Sequence, residues 1–473
     1  MNAKISNWLA AAALACSVTA AFAADESSPA SGPWWSVFPD ATLDRLERRA
    51  LAANRDLRQA VARVMEARAE ASAAAAGFYP NLSAPLLASR QRTTNTGPVT
   101  TSRLIGGNFF AGTSGSGLPA TFAGQALANT YDDFQLPLSV SYEVDVFGRI
   151  RGAYDQAHAN AQASEADREA VRLSLTAQVA ANYFALRAAD SAVAVLQRTA
   201  ALRADAEQIQ ERRVKGGAAT DVDLLRARVE KSNTEADLID AVQQRVELEN
   251  ALAELCGEHA GDFRLAPRPL DQTPPPAVPD TIPAGLLTQR PDLVEAERRI
   301  AAASSGVKAA RAQYFPVFDV RAGYGFESSQ ADQLLENQSH AWSIAGAINI
   351  PIFDGGRNAA GLAQARARDD QAIDAYQQTA LAAFREVQDA LSNLRERALQ
   401  AAARQRAAED ARRVFDASQR SYTEGGMSYF EVIDAQRVLL NAELAQVRTM
   451  GVRYAATVDL IRAAGGRFGD GSP

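Results

Sequence analysis

The sequence predicts a mainly α-helical chain with a membrane β segment, built from two copies of one helix–strand–strand–helix repeat. Three observations predict it. The 473-residue chain duplicates itself internally, it contains two runs of 63 residues free of Gly and Pro, and it carries segments in which apolar and polar side chains alternate. Composition agrees: the chain is rich in alanine, with only 18 Phe, 11 Tyr and 4 Trp, which suits long helices packed side by side. With 2 Cys and 3 His there is no material for a disulfide framework or a His/Cys zinc cluster. A net charge of −7 argues against a nucleic-acid partner. Mean hydropathy of −0.20 argues against a polytopic helical membrane protein but leaves a β-barrel open, because barrel strands are half polar.

At the start, Lys4 precedes an apolar run from Trp8 to Ala21, and Ala21-Phe22-Ala23 offers a small-x-small cleavage site. Residues 1–23 therefore read as a secretory signal. A second route is lipidation at Cys16, since Ala13-Leu14-Ala15-Cys16 resembles a lipoprotein signal with its aliphatic and small positions reversed. Cys256, at the end of a helical stretch before Gly257, reads as a packing residue.

The first repeat occupies 24–256 and the second 286–473, joined by a proline-rich linker over 257–285. Asp56-Leu57 through Phe78-Tyr79-Pro80 recurs, offset by 236, as Asp292-Leu293 through Tyr314-Phe315-Pro316. Beyond the strands the offset becomes 208: Gly148-Arg149 matches Gly356-Arg357, and Gly217 to Ala227 matches Gly425 to Ala435. The 28 extra residues of the first copy lie in Arg90 to Asp132, which has loop composition.

Strands are expected at about 81–91, 133–147, 317–328 and 341–353. Along the second, Phe134, Leu136, Leu138, Val140, Tyr142, Val144 and Val146 share one face; along the third, Phe318, Val320, Ala322, Tyr324 and Phe326 do. Such alternation also fits a half-buried soluble sheet. The export signal, the strand length and the aromatics near strand ends favour membrane strands. Four strands do not close a barrel, and an open sheet would leave unpaired edges in lipid, so the barrel must be shared between chains. Two chains would supply eight strands and three would supply twelve.

Long helices are expected at about 150–213 and 357–421. The Gly/Pro-free runs Ala153–Lys215 and Leu362–Glu424 would each reach about 90 Å as one helix. Ala163, Ala166, Ala170, Leu173, Ala177, Ala180 and Phe184 follow a 3–4 spacing, as do Ile373, Tyr376, Ala380, Ala383, Val387, Ala390 and Leu394. A soluble coiled-coil scaffold would share these seams but would not explain the strands.

The chain resembles the outer membrane factors, the TolC-like channels of tripartite pumps. The resemblance rests on Trp34-Trp35-Ser36-Val37-Phe38, Tyr79-Pro80, Asp145-Val146-Phe147-Gly148-Arg149, Arg290-Pro291-Asp292-Leu293, Pro351-Ile352-Phe353-Asp354-Gly355-Gly356-Arg357 and Asp434-Ala435-Gln436-Arg437. The first and fourth look most like the NodT-type branch that serves RND pumps, which is usually lipidated. The resemblance implies a homotrimer in the bacterial outer membrane: a twelve-stranded β-barrel continued by a twelve-helix α-barrel through the periplasm. It implies partners as well, namely outer membrane lipid, a periplasmic adaptor and an inner-membrane RND transporter. The implied function is a passive exit duct for small toxic compounds or drugs, with type I secretion or metal-ion export as alternatives.

Two tips are expected to close the periplasmic end and meet the adaptor: Gly216, Gly217, Ala218, Ala219 and Thr220 in the first repeat, and Gly425, Gly426, Met427 and Ser428 in the second. By the same resemblance Phe430 and Asp434, four apart on one helical face, match channel-narrowing positions. Three copies would form an apolar ring and an acidic ring. Asp221 and Asp223 are further candidates. A helix-surface pair of Asp434 with Arg437 or Arg226 is the competing reading. No enzyme is expected, and no cofactor: His158, His259 and His340 lack metal-ligand spacing, and Gly323-Tyr324-Gly325 is too weak for a nucleotide loop.

Overall fold

The structure, a computed structural model, describes residues 33–92, 130–270, 274–276, 285 and 288–466. The signal segment and Cys16 lie outside the described residues. Each repeat climbs to a sheet, turns there and descends along a very long helix. In the first repeat the helices are α1 (Ala41–Ala53), α2 (Arg55–Ala75), α3 (Arg149–Lys215) and α4 (Asp221–Leu255). In the second they are α5 (Pro291–Ala312), α6 (Arg357–Thr423) and α7 (Tyr429–Ala463). The duplication is metrical: α3 and α6 each have 67 residues, and α4 and α7 each have 35. At 1.5 Å per residue the long helices run about 100 Å.

The sheet contains β1 (Asn81–Ser83), β2 (Leu87–Arg92), β3 (Thr130–Val144), β4 (Val317–Ser328) and β5 (His340–Asn349), all paired antiparallel. β1 and β2 both pair with β3, then β4, then β5, so the chain supplies four strand lines. The single strand expected over 81–91 is thus two pieces. Its register does not slip across the gap: Ser83 faces Ser139 and Leu87 faces Gln135, which sets Pro85 opposite Pro137. Neither proline has an N–H to donate, so the ladder is interrupted there. The strands expected to reach 147 and 353 stop at Val144 and Asn349 instead. The freed residues start the long helices. Asp145 accepts from the Ile150 and Arg151 amides at 3.1 and 2.8 Å, and Asp354 accepts from the Gly356 and Asn358 amides at 2.9 and 2.8 Å. Each carboxylate satisfies amides left open at a helix N-terminus.

Side-chain direction divides the sheet cleanly. One face carries Leu138, Tyr324 and Trp342 in one row and Val140, Ala322 and Ile344 in the next. Tyr324, Trp342, Ile344 and Ile348 stay more than half exposed, which marks an apolar face made for lipid. The opposite face is polar, with Ser, Gly and Ala beside Asp133, Gln135, Glu143, Asp319, Arg321 and Glu327.

Helix packing repeats the two-part design. Near the sheet the order is α2–α3–α5–α6, and near the far end it is α4–α3–α7–α6, a wall four helices wide throughout. The short helices meet end to end. Asn54, which caps α2, donates its side-chain amide to the Leu255 carbonyl at the end of α4 (3.0 Å). Arg290, at the start of α5, donates to the Ala463 carbonyl at the end of α7 (2.9 Å) and pairs with Asp292 and Glu386. Both partners obey the repeat offsets, so the two joints are one device made with different side chains. Alanine seams fill the wall: Ala163, Ala177 and Ala180 are buried on α3, and Ala383, Val387 and Ala390 on α6. Ile373 is exposed, because α6 is an edge of the wall within one chain.

The main core sits where these joints lie, roughly 40–55 Å along α3 from the sheet. Trp34, Trp35, Phe38, Leu43, Leu46, Val179, Tyr183, Phe184, Leu252, Tyr454, Val458 and Ile461 pack there. Trp34 donates to the Thr176 hydroxyl (3.0 Å), and the Tyr183 hydroxyl donates to Asp40 (2.6 Å). The chain leaving α4 is strapped on by buried charges. Asp190 accepts from Arg187, Arg245 and the Arg268 amide, while Glu249 accepts from Arg245 and the Leu265 amide. Cys256 lies in this core, where burial pushes its thiol up to about 11, as suits a packing residue.

Among the described core groups, one carboxyl is wholly unmatched. Glu47 is fully buried, both carboxyl oxygens lack a hydrogen-bond partner, and burial beside Asp44 raises its pKa from 4.5 to about 9. The unfolded chain releases this proton near pH 4.5 and the folded chain only near 9. Stability therefore falls as pH rises through that window, by up to about 1.4 kcal/mol per unit. Thermal melts of Glu47→Gln in detergent should lose most of this slope, gaining stability over wild type at pH 8 and little at pH 5. An unchanged slope would contradict the assignment.

Candidate functional site: the paired helical tips

The end remote from the sheet is formed by two helix reversals. Gly216 to Thr220 joins α3 to α4, and Glu424 to Ser428 joins α6 to α7. In each, only one glycine has the left-handed conformation, Gly217 (φ 68°) and Gly425 (φ 79°), and these are the two related by the 208 offset. Their amides, and those of Ala218 and Gly426, donate back to carbonyls of the ending helix. The return helices start with matched capping boxes. The Thr220 hydroxyl and amide bond the Asp223 carboxylate, and Ser428 bonds Glu431 in the same way.

Between the tips lies a cleft of 450 Å³ lined by Gln210, Arg213, Ala218, Ala219, Asp223, Arg226, Tyr422, Met427, Ser428, Tyr429 and Phe430. The residues that fasten its two sides together were not singled out from sequence. The Tyr422 hydroxyl, on α6, accepts from Gln210 Nε2 at 2.9 Å and from Arg213, both on α3. The Arg213 guanidinium also lies 5.2 Å from the Tyr422 ring centre. Behind it, Tyr429 packs 5.7 Å from Tyr422, and burial, then the neighbouring Tyr422, push its pKa up to about 12. Some 15 residues above Ser428, the nearly buried Glu443 on α7 accepts from Arg198 of α3 (2.8 Å) and from Arg412 of α6. No sequence spacing marks these contacts, because they join positions more than 200 residues apart or on three different helices.

The four candidate constriction residues each have a different environment. Phe430 is half exposed, with the Arg226 guanidinium 5.1 Å from its ring centre. Asp434 pairs with Arg437 at 2.7 Å, one turn along the same helix, and both remain about half exposed. Arg226 is occupied by Phe430 and by a 4.0 Å approach to Asp223. Asp223 is committed to the Thr220 cap, and Asp221 is exposed at the first position of α4. Among the described residues no group of three or more His, Cys, Asp and Glu could hold a metal ion.

Residues 46–258 and 282–466 match the family described as outer membrane efflux protein. The chain is 32% identical over 447 residues to outer membrane protein OprJ of Pseudomonas aeruginosa, covering 93% of this chain and 87% of that one. It is 33% identical over 437 residues to the pyoverdine export outer membrane protein OpmQ of the same organism, covering 92% and 87%. Its fold matches the solved outer-membrane channel OprN with a TM-score of 0.81, at 27% identity over 92% of this chain and 93% of that chain.

The left-handed positions give an asymmetric prediction. Gly217→Ala and Gly425→Ala should each cost about 1 kcal/mol, whereas Gly216→Ala, at an ordinary φ, should be close to neutral. Hydrogen exchange of the tip amides measures this, and equal sensitivity of Gly216 and Gly217 would contradict it.

Proposed function

Since the chain belongs to the outer membrane efflux protein family, a family of channels and not of enzymes, we propose that it is the exit duct of a tripartite efflux pump. It stands in the outer membrane with its helices in the periplasm. Three copies close the barrel, and small organic toxic compounds or drugs reach it from an inner-membrane RND transporter through a periplasmic adaptor. The observation that carries this reading is the continuity of the apolar-faced sheet with the four-helix wall. Both are open at their edges in one chain. On the sheet the outermost strands are β1/β2 and β5. On the wall one border is α2 and then α4 and the other is α6, with Val222, Leu225, Ile239, Leu381 and Phe384 exposed. Apolar residues and unpaired strand edges at both borders suit further copies of the same chain.

In this reading the tips are both gate and docking surface. Gly216 to Thr220 and Gly425 to Ser428 meet the adaptor. Phe430 and Asp434 of three chains narrow the bore as an apolar ring and an acidic ring one turn apart. Asp223 acts through its cap, holding the first tip in shape, and Asp221 adds charge beside it. The Tyr422 hydroxyl ties the second hairpin to the first and keeps the gate closed at rest.

Reconstitution in planar bilayers tests this. Asp434→Ala should give a larger single-channel conductance than wild type, and Tyr422→Phe should raise the open fraction while leaving the fully open conductance unchanged. Wild-type behaviour in both variants would overturn the gate assignment.

A further inference from the structure

The outward, apolar face of the sheet changes character at the end remote from the helices. Along β3 that face is apolar from Phe134 to Val144, which spans about 25 Å across a membrane once strand tilt is included. That height matches the apolar band of a membrane barrel, so Phe134 marks its upper border. β2 continues past the border. Ala88 stands opposite Phe134, and the next residues on the same face are Arg90, opposite Asp132, and Arg92, opposite Thr130. Arg90, Arg92 and Asp132 are the only Asp, Glu, Lys or Arg side chains on the outward face of the described strands. All three lie beyond the apolar band, and their balance is basic.

Arg90 meets Asp132 at 3.5 Å with its own side chain 75% exposed, a long contact that leaves most of its donors open. Arg92 is exposed and makes no hydrogen bond or ion pair among the described residues. The segment between Arg92 and Asp132 brings no further acid, since it contains Arg103 and neither Asp nor Glu. Asp332 and Glu336 belong to the turn between β4 and β5, which β3 separates from β2. Lower on the outward face, about 20 Å along β3 from Asp132, an apolar depression of 310 Å³ opens among Leu138, Val140, Ala322, Tyr324, Trp342 and Ile344. Guanidiniums just above an apolar band stand at the level of lipid headgroups, and their forked N–H donors suit phosphate oxygens. We propose that Arg90 and Arg92 form a docking surface for the phosphates of lipid A, the phosphorylated glycolipid of the outer leaflet. Its acyl chains run down the apolar face and into the depression. A lipid satisfies both features at once, whereas a soluble anion would use only the arginines. This rests on the reading that places the sheet in the outer membrane, and it gives that placement a specific lipid.

Native mass spectrometry of the delipidated protein in mild detergent tests this. The probe is diphosphorylated lipid A, set against the same lipid with both phosphates removed. Wild type should bind the phosphorylated form roughly tenfold more tightly than the dephosphorylated one. The double variant Arg90→Gln/Arg92→Gln should lose that preference while keeping its affinity for the dephosphorylated lipid. Arg90→Lys/Arg92→Lys should restore part of the preference, and added salt should weaken it. Equal binding of the two lipids by wild type, or an undiminished preference in the glutamine variant, would overturn the proposal and leave the conduit reading intact. If the arginines pair instead with Asp332 and Glu336 of an adjoining copy, wild type will not distinguish the lipids and the glutamine variant will lose assembled mass, which overturns it as well. Extraction of wild type into buffer without detergent would overturn the membrane reading, and the proposal with it.

Discussion

A peptide N–H or C=O inside hydrocarbon can be satisfied only by another peptide group, and the architecture of this chain follows from that constraint. Each exposed backbone group costs several kcal/mol, so a sheet in lipid has to close on itself. This chain brings four strand lines, with β1/β2 and β5 as its borders, and closure needs more than four. Four strand lines suffice in one chain when further copies complete the barrel, as proposed above. The same need explains the strict parity of the faces. A register slip of one residue would turn Trp342 and Ile344 inward and Arg321 into lipid.

Below the sheet the problem changes from pairing backbones to building a long wall. A 67-residue helix has no loops in which to store irregularity, so its seam must be right along its whole length. Alanine achieves this with little side-chain entropy and close approach of neighbours. Two full-length helices per chain are complemented by shorter ones stacked end to end. Those joints are where a carbonyl left open at one helix terminus meets a donor at the start of the next: Asn54 on Leu255, Arg290 on Ala463. The aromatic core and the Asp190–Arg245–Glu249 network gather at the same level, because there the wall changes partners and the chain crosses between repeats.

Much of this was legible in the sequence, and for physical reasons. Period-2 alternation reports a face directly, so Phe134 to Val144 announced its orientation. A run without Gly or Pro reports an uninterrupted helix, and the offset of 208 paired Gly217 with Gly425. The resemblance then supplied the number of chains, which periodicity alone left between two and three. Other features were hidden because they depend on what stands opposite. Pro85 splits the first strand line where it faces Pro137, and Asp145 and Asp354 leave their strands to cap helices. At the tips, Phe430 and Asp434 drew attention as motif positions, whereas Tyr422, Gln210 and Arg213 lie in stretches without any signal and meet only after both hairpins have folded. Arg437, one of two partners considered for Asp434, is the one the geometry selects within a chain. Glu47 stands beside Arg45, Arg48 and Arg49 in a run of charges, and only the packed core shows it buried without a partner.

A single chain is an incomplete wall, because its sheet and its helices both end at open edges. The most direct measurement is the mass of the protein extracted from outer membranes in mild detergent, taken with the detergent contribution subtracted. A wall completed by further copies should give a particle of three chains that dissociates only on strong denaturation, with no folded monomer in equilibrium. A stable folded monomer, or extraction into buffer without detergent, would contradict it.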